Sequence, residues 1–459
     1  MYLSSFTFIV VLLPIILVSY YLIPTKGKNG LLLFWSMIVY GWGNPFRLLY
    51  PAACVFFDYG IGLVLERMQN RKKISTIILA FSALIQIIAM TLIRTMVQER
   101  EGFLFPFGIA VYTLQGLGYL IGIYRRRHMA SVKFLNVALY IFMFPVIYAG
   151  PLMTYLEYQE QLEKRPCNIM QLSKGLQLFI RGLAEKVILA DTFGYIFREL
   201  RQAGQMSMLT AWLTTLSFSM YLYFELLGYT EMARGLGKCF GFQFPKNFSH
   251  PFFTSSITAF LQSWNVTLLL WFQTNFRYFL FRNFERKWQR YLFLILTWAF
   301  IGAWYGLEIQ FIIWGIFMGI LVSIEQLTGL DKNFIEENSG GKGYVFGLIY
   351  TAILQQFLFV LLFAKNLTEA GTIWKAMLSF GNGIADQTGF YFFTSYIALL
   401  LLGLYIAADL FQNITERIAV TEIGQKLFIC EPLVYGLLFL FCLASMLYGE
   451  RMTELWLKI

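Results

Sequence analysis

Apolar stretches of helix length recur along this chain, separated by short polar or basic connections. The first runs from Phe6 to Ile23. The second runs from Leu31 to Trp42 and stops at the turn Gly43-Asn44-Pro45, and a third covers Leu48 to Leu65. Ile74 to Ile93 and Phe103 to Ile123 follow. A run of about 18 apolar residues can cross a hydrocarbon core about 30 Å thick. In lipid only helices and closed barrels satisfy every backbone group, and continuous apolar runs, rather than alternation, select helices. The pattern predicts an all-helical integral membrane protein of about a dozen spans, in one domain covering residues 1–459. The N-terminal flank of the first run has no Lys or Arg and no small-residue cleavage site follows, so the run is expected to be a retained span.

The later runs are less regular. Phe134 to Tyr155 is interrupted at Pro145 and at Ala149-Gly150-Pro151, which predicts a broken helix. Non-helical backbone at membrane depth must be buried in protein or line a cavity. Leu176 to Phe197 carries Arg181, Glu185, Lys186 and Asp191 among its apolar residues and is expected to lie at the interface. Leu209 to Leu227 is the next expected span. Phe276 to Arg290 mixes cations with aromatic rings, a pattern suited to the headgroup layer. Tyr291 to Ala303, Ile309 to Ile324, Tyr344 to Ala364, Phe390 to Ala408 and Leu433 to Leu447 complete the series, with a polar loop at Asp331 to Lys342.

Composition agrees. The chain is 58% hydrophobic and 14% charged, against about 25% charged for a soluble domain. The formal net charge of +10 sits largely in loops, which argues against nucleic acid and for anionic lipid. Lys26 with Lys28, Arg67 to Lys73 and Arg125 to Lys133 fall on one side if each intervening run spans once. The positive-inside rule makes that side cytoplasmic, puts the N-terminus outside and implies the cytoplasmic membrane. The five cysteines show no paired spacing. Cys239 follows Lys238, which would lower a thiol pKa, but an inert buried thiol is the default. The two histidines, His128 and His250, are far apart in sequence, so no metal site is expected.

Between Leu222 and Gly319, carboxylates, amides and tryptophans interrupt apolar runs: Glu225, Glu231, Asn247, His250, Trp264, Asn265, Trp304, Tyr305 and Trp314. Polar groups at membrane depth are costly and mark function, so a polar cavity is expected here. Trp264, Trp271, Trp304 and Trp314 are candidates to line it. Glu225 is expected to pair with Arg234 or Lys238. Asp58, in the middle of the third run, is expected to meet a backbone or basic group.

These residues lie within motifs that resemble a known family. Leu3-Ser4-Ser5, Tyr40-Gly41-Trp42, Pro106-Phe107-Gly108-Ile109, Phe144-Pro145 with Ala149-Gly150-Pro151, and Gly228-Tyr229-Thr230-Glu231-Met232-Ala233 followed by Gly235-Leu236-Gly237 are similar to membrane-bound O-acyltransferases. Asn247-Phe248, Pro251 and Ser256-Ile257 also fit. The resemblance points to the branch of bacterial alginate O-acetyltransferases and D-alanyl-teichoic-acid transferases. It implies a ring of tilted helices around a central funnel. It also implies an acyl donor such as acyl-CoA or an acyl carrier protein, and a partner such as an extracytoplasmic transferase. No other cofactor is expected.

The resemblance places Asn265 and Tyr305 where the family carries its two histidines, in Phe260-Leu261-Gln262-Ser263-Trp264-Asn265 and Trp304-Tyr305-Gly306. It also places Gly122 where the family has an Asp. Acyl transfer to a hydroxyl needs a group that takes a proton near neutrality. Asn265 cannot titrate, and tyrosine has a reference pKa near 10. One reading is a family member of cell-envelope polymer O-acylation that is catalytically silent or weak. The alternative is an active O-acyltransferase with Glu231 or His250 as base and Tyr305 donating to the oxyanion. Under the first reading Glu225, Asn247, Trp264 and Trp304 line the funnel without chemistry. A lipid or glycan transporter is a third reading, compatible with broken helices.

Overall fold

The computed structural model describes residues 1–99, 108–148, 150–202, 206–280, 286–330, 342–408 and 430–448. Pro106-Phe107, Ala149, most of the Asp331 to Lys342 loop and residues 281–285 of the basic aromatic stretch lie outside them. All regular elements among the described residues are helical. In chain order the α-helices are α1 Leu13–Leu22, α2 Lys28–Gly41, α3 Leu49–Arg67, α4 Lys72–Glu99, α5 Ile109–Tyr124, α6 Phe134–Ile141, α7 Phe144–Ile147, α8 Tyr155–Glu163, α9 Ile169–Ala184 and α10 Asp191–Gln202. Then come α11 Met208–Cys239, α12 Ile257–Ser263, α13 Val266–Leu280, α14 Lys287–Tyr305, α15 Ile309–Thr328, α16 Lys342–Phe363, α17 Leu367–Leu378, α18 Gln387–Ala407 and α19 Glu431–Tyr448.

Five described helices are long and apolar enough to cross a membrane, at Pro45–Arg67, Lys72–Met96, Ile309–Thr328, Gly343–Phe363 and Gln387–Ala407. Along α4 the exposed apolar side chains Ile77, Phe81, Leu84, Ile88 and Leu92 recur every three or four residues. That spacing makes one helical stripe. A contiguous apolar stripe of this length on a free surface marks contact with lipid or protein.

The chain divides into two compact units. One comprises Met1–Leu183 and Tyr229–Lys246, the other Ala184–Gly228 and Asn247–Ile459. Helix α11 contributes its first part to one unit and its last part to the other.

In the first unit the expected break is present. Helix α6 stops at Ile141 and α7 resumes at Phe144 with Pro145 in its first turn. The break strips helical partners from nearby backbone groups, which must bond elsewhere when buried. Side chains supply them: Tyr158 donates to the Leu139 carbonyl at 3.2 Å, and the Ser36 hydroxyl accepts from the Phe144 amide at 3.1 Å. Tyrosines recur in this interior, where an apolar ring with a polar tip suits buried backbone. Asp58 is fully buried, and its partner is a neutral amide: Gln86 Nε2 donates to Asp58 Oδ1 at 2.9 Å. The expected backbone or basic partner is corrected accordingly. Gly116 on α5 makes room for this carboxyl, since a Cβ there would lie 2.0 Å from Asp58 Oδ2.

In the second unit α14 and α15 form a tight hairpin. A Cβ on Gly302 would lie 2.2 Å from the Phe311 carbonyl oxygen. One on Gly315 would lie 2.1 Å from that of Trp298, and one on Gly319 would lie 2.6 Å from Ile295 Cα. Gly315 and Gly319 form the small-xxx-small spacing that lets membrane helices approach backbone to backbone.

Candidate functional site

The second unit carries the residues that the sequence singled out most strongly. Helix α12 ends at Ser263, Trp264 is extended, and α13 starts at Val266. Asn265 between the helices has φ of 45°. This left-handed conformation is disfavoured for residues with a Cβ, least so for asparagine and aspartate. The segment 247–250 holds the break in place. The Asn247 carbonyl accepts from the Val266 amide at 2.9 Å, and its Oδ1 accepts from the Thr267 hydroxyl at 2.6 Å. Ser249 N donates to the Ser263 carbonyl at 3.0 Å. Asn247 thus positions α13.

The bend aims the Asn265 side chain at α14. Its Nδ2 donates to the Tyr305 hydroxyl at 3.4 Å. Tyr305 closes α14, and its ring meets Trp314 of α15 edge-on, with centroids 5.7 Å apart. Phe218, Leu222, Phe260, Trp264, Tyr305 and Trp314 help to line one small apolar cavity of about 20 Å³, space for about one water-sized group. Trp314 Nε1 is buried without a hydrogen-bond partner. Buried N–H groups are normally paired, so one of the residues lining the cavity carries a donor unused by the protein. Tyr305 adds a second. Its oxygen accepts from Asn265, which leaves its own proton to donate.

The other sites fall elsewhere. Trp304 packs edge-on against Phe272 at 6.1 Å and Trp271 beside the same ring at 5.1 Å, so of the four tryptophans Trp264 and Trp314 line the cavity. His250 also has left-handed backbone, at φ 51°, immediately before Pro251. That is a strained choice, because a residue preceding proline favours extended backbone. Glu231 lies in the first unit and is ion-paired with Arg234 one turn later.

Glu225 is paired neither with Arg234 nor with Lys238. Lys186 Nζ lies 2.8 Å from Glu225 Oε2 and 2.7 Å from Asp191 Oδ1. Lys186 sits on a π-helical turn, Glu185–Ala190, between α9 and α10. The expected interfacial stretch is therefore a helix with a wound turn whose charges are buried. π-Turns re-aim side chains and are frequent at functional positions. Cys239 is fully buried, with its thiol donating to the Leu172 carbonyl at 3.7 Å. A buried thiol in a closed contact does not serve as a nucleophile.

Gly122 has an unforeseen neighbour. A Cβ there would lie 2.1 Å from His128 Nε2, so the imidazole occupies the space beside the bare backbone. The ring stacks on Tyr119 at 5.5 Å and leans on Tyr155 at 4.9 Å. Burial holds His128 below the ordinary histidine value, more than its bond to the Met129 carbonyl raises it. Gly122→Ala should lower stability by about 1–3 kcal/mol, the usual cost of overpacking. His128→Ala in the same chain should recover most of that loss. Thermal unfolding of the two variants and wild type in detergent would check it; a harmless Gly122→Ala removes the packing argument.

Residues 122–334 match the family model described as MBOAT, membrane-bound O-acyltransferase family. A probable alginate O-acetylase of Pseudomonas putida is 30% identical over 433 residues, covering 89% of this chain and 88% of that protein. The chain belongs to the membrane-bound O-acyltransferase family. A peptidoglycan O-acetyltransferase of Helicobacter pylori is 27% identical, covering 70% of this chain and 69% of its own. A teichoic acid D-alanyltransferase of Bacillus subtilis is 28% identical over a shorter stretch, 40% of this chain and 49% of its own. The family and the apolar helices together make this a multi-pass membrane protein.

Three parts of this family member's second unit were not anticipated from its sequence. They are the Lys186 pairing, the glycine seam of α14 and α15, and Glu325. The last is fully buried on α15 and accepts from the Ile257 amide at 2.7 Å and the Thr258 amide at 2.8 Å. The Gly315-xxx-Gly319 spacing was a legible signal for the seam. Nothing local to positions 186 or 325 names their partners.

Proposed function

We propose that this chain serves the O-acylation of a cell-envelope polymer, seating the carbonyl oxygen of an acyl group at the Asn265–Tyr305 site without supplying a general base of its own. The hydrogen bond from Asn265 to Tyr305 beside the cavity carries this reading. By the resemblance, these residues stand at the family's histidine positions. Neither takes a proton near neutral pH, and a general base commonly contributes about 10²- to 10⁴-fold. The tyrosine hydroxyl and the Trp314 N–H suit a different task, donating to a carbonyl oxygen. The names of the relatives support an envelope polymer as acceptor. An acyl-CoA or acyl carrier protein as donor, a partner that completes transfer outside the cell, and an outward N-terminus in the cytoplasmic membrane belong to the same proposal.

The test measures ester-linked acyl groups released from surface polymers by mild alkali, with and without the chain. Deletion should lower them. Complementation with Tyr305→Phe should restore about a tenth of the wild-type level, the effect of one lost hydrogen bond of about 1.4 kcal/mol. Unchanged acylation on deletion rejects the pathway. Sustained acyl transfer by the purified chain, abolished by Glu231→Gln or His250→Ala, would replace the base-free reading with a rewired enzyme.

A further inference from the structure

We propose that the loop at 66–73 and the loop at 125–133 form one site for the phosphate of anionic phospholipid headgroups. The two stretches are more than fifty positions apart in sequence, yet the first unit ties them together. Arg126 Nη2 donates to the Gln69 carbonyl at 3.2 Å. Glu66 Oε2 accepts from the Ala130 amide at 2.7 Å. Below them, the Thr76 and Tyr124 hydroxyls meet at 2.7 Å. Arg126 reaches across from a left-handed backbone, φ 57°, which the Arg127 amide stabilises by donating to the Gly122 carbonyl at 2.9 Å.

The fused loops hold four cations each. Arg71, Lys72 and Lys73 from one, and Arg126, Arg127 and Lys133 from the other, are exposed. Glu66 is the sole carboxylate within the two stretches, and the Ala130 amide engages it. Clusters of four to eight cations beside a membrane helix bind anionic headgroups.

Two observations favour a lipid over a soluble acidic partner. Met129 and Val132 project among the cations at 77% and 83% exposure. Apolar side chains flanked by cations suit the boundary between headgroups and acyl chains. The cations also continue the lipid-facing stripe of α4, whose first exposed members, Ile74 and Ile77, follow Lys72-Lys73 directly. Acyl tails on that stripe would place their phosphates level with the cations.

The experiment titrates the purified full chain in neutral detergent with short-chain phosphatidylglycerol, and in parallel with phosphatidylcholine, reading bound lipid by native mass spectrometry. Phosphatidylglycerol should bind more tightly and lose affinity with added salt. The triple change Arg71→Gln, Lys72→Gln, Lys73→Gln and the double change Arg127→Gln, Lys133→Gln should each weaken it at least tenfold, given about fivefold per cation. A matched change at exposed Lys26→Gln, Lys164→Gln, Lys174→Gln should leave it intact. Should a multiple variant fail to fold, the single changes Lys73→Gln and Arg127→Gln carry the same test at about fivefold each.

Full competition by inorganic phosphate or glycerol phosphate at equal concentration, with no effect of Met129→Ser and Val132→Ser, would assign the cations to a free phosphate compound and overturn the lipid. Equal losses in the matched control would reduce the effect to net charge and overturn the site. Unchanged affinity in both loop variants would do so as well.

Discussion

Lys186→Met should destabilise the protein by about 3–5 kcal/mol, the usual consequence of breaking a buried ion pair from one side. Lys186 is 4% exposed and Glu225 1%. Its ammonium bridges Glu225 and Asp191 at 2.8 and 2.7 Å. Without it, Glu225 on α11 stays buried but loses the ammonium at its Oε2, and a buried charge stripped of a close counter-ion tends to neutralise or move toward water. Asp191, at 14% exposure, can hydrate more easily. Most of the loss should therefore come from Glu225. The double variant Lys186→Met, Glu225→Leu should be more stable than Lys186→Met alone, because removing both charges removes the desolvation cost. Chemical unfolding in mixed micelles measures all three. A Lys186→Met chain within about 0.5 kcal/mol of wild type, the range of ordinary surface changes, would show that the trio contributes nothing to stability. The effect should extend to the site, since Glu225 shares α11 with Phe218 and Leu222 of the cavity wall.

Glu325→Gln should cost about 3 kcal/mol, from the range of about 1.5–3 for each hydrogen bond to a charged group. The carboxylate takes three donors at the start of α12: the Ile257 and Thr258 amides and, at 2.6 Å, the Thr258 hydroxyl. Glutamine keeps the shape but offers one accepting oxygen. Its NH₂ group would face donors in place of an acceptor. Glu325→Ala removes the clash but leaves the donors buried and unpaired, so both variants should lose stability. Helix α12 has seven residues, too short to hold itself, and it leads directly into Trp264 and Asn265. Loosening its start should release the Asn265–Tyr305 contact. The informative comparison is acylation in cells complemented with Glu325→Gln, Tyr305→Phe or both. Equal loss in the single and double variants means Glu325 acts through Tyr305. Wild-type stability in Glu325→Gln would remove its role as the anchor of α12.

Much of the fold was legible because lipid makes few demands beyond length and apolarity. The runs starting at Leu48, Ile74, Ile309, Tyr344 and Phe390 correspond to the five span-length helices. The break at Pro145 announced itself chemically. The break at Trp264–Asn265 did not, because no proline or glycine marks it; the buried acceptors of Asn247 and the anchor at Glu325 fold the chain there. The burial of Lys186 was not legible, because buried and interfacial charges look alike in sequence. Partners separated by 39 positions, as Lys186 and Glu225 are, leave no local trace. The same holds for Asp58, whose amide partner Gln86 is one helix further on. Motif resemblance named Asn265 and Tyr305 individually, and the geometry of α12 to α14 brings them into contact.

The glycine seam of α14 and α15 has a bearing on how such a site diversifies. Where two helices touch through bare backbone at Gly302, Gly315 and Gly319, the hairpin is held by backbone contact as well as by the rings that bridge it. Trp314 and Phe311 can then be exchanged during descent for smaller or larger neighbours, resizing the cavity beside Tyr305 while the scaffold stays as it is. The wall of that cavity can therefore change size while the backbone contact between α14 and α15 stays as it is.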